Sequence, residues 1–178
     1  MKIVSIFAEH LYALHLEDEA ENEFAQLLGI EGKWMEVNYF FEFVEEHKKD
    51  IPHYEKIDDL PQKLIESAND INLILNQSEE EKGILNRFFK PLHNQEYHEG
   101  ELASKKGRKT YLRLYALKIE ADCFVITGGA IKFTHLIKDK AHTQKELQKL
   151  EKCRNFLKEN GVFDSDSFYE FLLEDNDL

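Results

Sequence analysis

The chain has 178 residues, 13 Phe, 7 Tyr and one Trp, and a formal charge of −12 from 35 acidic and 23 basic side chains. That length suits a single domain, residues 1–178, with room for a sizeable core, and the aromatic load excludes a disordered chain. Taken as one number, the charge opposes nucleic acid and anionic membrane as partners.

The first residues read as two short strands, 2–8 and 11–16, meeting at Glu9 and His10. Those two polar residues arrive too soon for a signal peptide. The acidic run from Glu17 to Glu23 precedes Phe24, Leu27 and Leu28, and acidic side chains favour a helix start. A helix over 20–28, ended by Gly29, follows; the run lacks the glycine and spacing of a calcium loop. Trp34, Val37, Phe41 and Val44 recur at helical spacing, which predicts a helix over 33–49 closed by Pro52. Leu60, Leu64, Ala68, Ile71 and Leu75 predict another that starts near Asp58 to Pro61, and a short helical piece spans 80–89.

After Pro91 the period changes to two. A strand is predicted over 96–104, then a basic hairpin turn of Lys105, Lys106, Gly107, Arg108 and Lys109, then a strand over 111–120. Alternation in that strand puts Tyr111, Arg113 and Tyr115 on one face. Ala121 and Asp122 turn the chain into 123–127, Gly128 and Gly129 mark a bulge, and 130–134 continue extended. Thr143-Gln144-Lys145-Glu146 matches a capping box ahead of Leu147, Leu150, Arg154 and Leu157, with Asn160-Gly161 as the stop. A last acidic helix covers 164–173. The fold class is therefore α+β. An antiparallel sheet of four to five strands, from the N-terminal strands (2–16) and the C-terminal meander (96–135), packs against an acidic helical segment (20–89) and the C-terminal helices (141–173).

No apolar run approaches the roughly 20 residues of a membrane span. Cys123 and Cys153 lack CxxC spacing, which suggests reduced thiols and a cytoplasmic setting, with a disulfide left open. The glycines form no P-loop or other nucleotide motif, so no cofactor is read. His93 and His98, near Glu96 and Glu99, are five apart without zinc-site spacing, and no metal site is assigned.

The charge is unevenly placed along the chain. Residues 1–104 carry a net −14, residues 105–158 a net +9 and residues 159–178 a net −7. An asymmetry of this size points to a surface that faces a polyanion, or to a basic block neutralised by its acidic neighbours. An arginine between two tyrosines suits a phosphate beside stacked bases, as in single-stranded RNA. Arg113 is the candidate for stabilising a phosphorane, supported by Arg108 and Lys132, with His135 as acid/base because imidazole titrates near neutrality. Lys105, Lys106, Lys109, Tyr111, Tyr115 and Lys138 are the candidates for holding the strand. Arg113 as an ion-pair partner of the acidic helices, and His135 as an ordinary surface or core histidine, stay open.

The stretch Gly107-Arg108-Lys109-Thr110-Tyr111-Leu112-Arg113-Leu114-Tyr115, then Phe124 to Lys132 with its Gly128-Gly129 turn, then the helix over 143–157, resembles the C-terminal half of RelE/HigB-type toxins. The resemblance covers about residues 96–158. It implies a bacterial, ribosome-associated, metal-independent mRNA endoribonuclease of a type II toxin–antitoxin system, neutralised by an antitoxin-like protein partner. Such toxins are small and basic, so the acidic segment is an enlargement here. The alternative is a non-catalytic protein- or RNA-binding module that kept the toxin-like fold.

Overall fold

The computed structural model describes residues 1–7, 9–92, 102–133 and 140–176. Six strands form one mixed sheet: β1 (Lys2–Phe7), β2 (Leu11–His15), β3 (Phe89–Pro91), β4 (Ala103–Lys109), β5 (Leu112–Glu120) and β6 (Cys123–Ile131). Their order is β1-β2-β6-β5-β4-β3. All neighbours are antiparallel except β2 and β6, which pair in parallel from Leu11 with Phe124 to Ala13 with Ile126. The class is α+β.

Helices cover both faces. On one lie α1 (Glu23–Leu28), α2 (Val37–Glu46), α3 (Leu60–Gln77) and α4 (Ile84–Phe88). Their apolar stripes meet Leu11, Ala13, Leu112, Leu114, Ala116, Phe124 and Ile126 of the sheet. On the other lie α5 (Lys140–Glu159) and α6 (Ser165–Asn176). There Leu150, Cys153, Leu157 and Phe168 pack on Tyr12, Leu14, Tyr115, Leu117 and Val125. The strict alternation of β5 supplies one set of side chains to each core.

Local chemistry explains most element ends. Asn22 Oδ1 accepts the Ala25 amide at 2.9 Å and caps α1. Pro61 sits in the first turn of α3. Gly161, at φ 79, lets α5 end and hand the Val162 amide to the Leu157 carbonyl at 2.9 Å. Asp164 Oδ1 caps α6 through the Ser167 amide, also at 2.9 Å.

Four expectations need correction. The helix predicted over 33–49 is broken: a 3-10 turn (Lys33–Met35) precedes α2 because Glu36 is extended. That break drives Trp34 to 1% exposure. The segment read as a basic turn is the strand β4, and the turn is only Thr110 and Tyr111, with Thr110 at φ 53. Within the predicted strand over 96–104, Leu102 is a turn residue at φ 55 and β4 starts at Ala103; residues 96–101 lie outside those described. Thr143 is no helix cap, because α5 already begins at Lys140.

Candidate nucleic-acid interface

The pleat of β4 sorts its basic residues between two faces. Register pairs Lys106 with Tyr115 and Arg108 with Arg113, placing them on the face of α5. Lys105 and Lys109 point the other way, opposite Ala116 and Leu112. Lys105 is buried at 5% exposure, and Lys109 faces Asp70 of α3 across 3.6 Å. The basic stretch is therefore two groups rather than one patch.

Tyr111 also leaves the expected face. As a turn residue it escapes the alternation of β5 and packs edge-on against Phe133, ring centroids 5.2 Å apart. Its hydroxyl donates to Glu55 at 2.6 Å, and Lys63 Nζ lies 5.8 Å from its ring and 2.8 Å from the same carboxylate. Tyr115 shares the face of Arg113, but at 2% exposure it offers no surface for stacking a base. The picture of an arginine flanked by two open aromatics is thus corrected.

The cations on the α5 face do converge. Arg113 is 5% exposed and donates Nη1 to the Thr110 and Leu112 carbonyls at 2.8 and 3.0 Å. Burial, with Arg108 beside it, pushes its guanidinium down to about 10. Burial also lowers Lys106, and Arg113, Lys132 and Arg108 lower it further. Among the described groups acting on Lys106 and Arg113, none is a carboxylate. Arg108 is exposed and Lys132 half-buried, so the cluster reaches solvent. His135 and Lys138, also singled out by the sequence, lie outside the described residues, as do His93, Glu96, His98 and Glu99.

A second charged group went unread in the sequence. Lys149 Nζ meets Glu23 Oε2 at 3.0 Å and Glu146 Oε1 at 3.3 Å. Burial raises the Glu23 carboxyl despite Lys149. It would lower Lys149, but Glu146 and Glu23 outweigh it and hold the ammonium above its ordinary value. The i,i+3 spacing of Glu146 and Lys149 was visible. Glu23, 126 residues away, was not.

No family model matches the chain, and no curated protein and no solved structure matches it either. Among the described residues no helix is long and apolar enough to cross a membrane.

Proposed function

We propose that the chain binds single-stranded RNA through Lys106, Arg108, Arg113 and Lys132 and acts in the cytoplasm as a RelE/HigB-like mRNA endoribonuclease. One observation carries the reading: these cations share one sheet face, repel one another, and have no carboxylate among the described groups that act on Lys106 and Arg113. Like charges held together at a cost to the fold suit a polyanion that supplies the missing countercharge. In cleavage, Arg108 and Lys132 touch the phosphate and neutralise the phosphorane, and Arg113 strengthens the field beneath them. His135, three residues beyond Lys132, is the acid/base candidate. The acidic helices on the opposite face leave a separate surface for an antitoxin-like partner.

The burial of Arg113 and Tyr115 favours a second reading, an RNA-binding module without cleavage. Two measurements separate them. Binding to a single-stranded oligonucleotide should weaken with salt at a log–log slope of about −3, from roughly 0.7 per neutralised phosphate. Induction in bacteria should arrest growth and fragment mRNA, and Arg108→Ala should abolish both effects. Salt-independent binding removes the RNA reading; binding without fragmentation leaves the module.

A further inference from the structure

The chain between β2 and the 3-10 turn concentrates negative charge. Residues 17–31 hold six carboxylates and no lysine or arginine. Two of these are used within the fold: Glu17 pairs with the Met1 amino group at 2.5 Å, and Glu23 is buried beside Lys149. Glu19, Glu21 and Glu31 are exposed, and none of them has an ion-pair partner among the described residues.

The backbone that carries these three is nonetheless fixed. The Glu19 carbonyl accepts from His15 Nε2 at 3.0 Å, and the Glu21 carbonyl from Gln26 Nε2 at 2.8 Å. Past the end of α1 the chain runs close against the helix. A Cβ on Gly29 would lie 2.7 Å from the Ala25 carbonyl oxygen, and one on Gly32 2.4 Å from that of Leu27. Between the two held segments lies an open groove of about 650 Å³. Its lining is more apolar than polar, from Ala20, Ala25, Gly29 and Ile30, and it includes all three free carboxylates. Lys33 is the one cation among the lining residues. Ile30 is fully exposed, so an apolar side chain laid against it would leave water at a gain for both.

This charge excludes most occupants. RNA and anionic lipid are repelled. A two-fold pairing of copies through the groove would set the same carboxylates against each other. Charge complementarity selects a cationic occupant, and the apolar lining selects one whose cations flank an apolar side chain. We propose that the groove docks a lysine- or arginine-rich segment of a protein partner, which seats an apolar side chain against Ile30 and pairs with Glu19, Glu21 and Glu31. That segment belongs to the partner assigned above to the acidic helices, and in that respect rests on the same reading.

A fluorescein-labelled oligolysine carrying leucine, followed by anisotropy at physiological salt, is a suitable probe. It should bind saturably and at least tenfold tighter than the same peptide with serine for leucine. Ile30→Ser should erase that advantage. Glu19→Gln, Glu21→Gln and Glu31→Gln together should weaken both peptides at least tenfold. The same neutralisation on α6, by Asp166→Asn, Glu170→Gln and Glu174→Gln, should change binding less than twofold. All these side chains are exposed, so the substitutions spare the fold. Equal affinity for the two peptides, or equal losses from the two triple variants, overturns the proposal. So does self-association of the free chain that Ile30→Ser abolishes, which would give the groove to a second copy. Peptide binding by a chain that neither binds RNA nor fragments mRNA leaves this surface standing and removes the RNA reading alone.

Discussion

Lys106 keeps a charge that its surroundings disfavour. Half-buried beside Arg113, Lys132 and Arg108, it is repelled in the folded chain and fully hydrated in the unfolded one. Lys106→Gln should therefore leave resistance to urea equal or higher while weakening RNA binding about tenfold, and the salt slope should fall by about 0.7. A lysine kept only for stability would show the opposite. Glu55 illustrates a charge in a favourable place. Lys63 and the Tyr111 hydroxyl hold its carboxyl below the ordinary 4.5. Between the folded and unfolded values the unfolded chain binds more protons, so this contribution is present above pH 4.5 and is lost as the pH falls through the folded value. Glu55→Gln should flatten the loss of melting temperature on acidification below pH 4.5. The cationic composition of this region was legible in the sequence, and Arg108 and Lys132 were named beside Arg113, but Arg108 was placed in a turn and the convergence on one face was not legible. The facing of Tyr111 was not. Alternation was counted through a residue that belongs to a two-residue turn, and one positive φ at Thr110 reverses the outcome.

Elements in this fold are tied by contacts far apart in sequence. Lys149 joins α5 to α1 through Glu23. Lys149→Met would leave two mostly buried carboxylates unpaired and should cost about 3–5 kcal/mol in denaturant titration. Glu23→Gln removes the surplus charge yet keeps an acceptor, and should cost no more than about 1 kcal/mol. Gly107 shows the same dependence between layers, since a Cβ there would enter the Phe88 ring of α4. Gly107→Ala should lower stability by about 1–3 kcal/mol, and adding Phe88→Ala should make the second change less damaging than it is alone. The start of α4 was illegible for a related reason. Asp122, 39 residues away in the turn between β5 and β6, accepts the Gly83 amide at 2.5 Å, so no local cap marks it. Strands β5 and β6 were legible because alternation and the double glycine are local. Glu146 was misread because its spacing from Thr143 fits a cap, while its carboxylate belongs to a contact with Lys149 and Gly128.

On the scale of the whole molecule, the sheet divides the interior into two cores with separate helical covers. Both cysteines lie in the α5–α6 core, free and buried. Burial pushes each thiol up to about 12, leaving almost no thiolate at neutral pH. A thiol reagent should modify neither in the native protein and both in denaturant, so labelling during a denaturant series reads the opening of that core alone. The charge of −12 is a true sum, but part of it lies on the helices α1 to α4, opposite the cations of β4 and β5, and part on α6, which shares the face of those cations.

The parallel pairing of β2 with β6 also bears on how the protein is made. The β1–β2 hairpin leaves the ribosome before β6, its partner strand, which emerges roughly a hundred residues later. Throughout that interval Leu11, Ala13 and Leu14, which end with no exposure at all, have no sheet to join. The Glu23–Lys149 bridge beyond the carboxyl ends of β2 and β6 can form only once α5 has been synthesised. A nascent chain halted before β6 therefore presents an unpaired strand edge to the cell, and the bridge closes later than the β1–β2 hairpin.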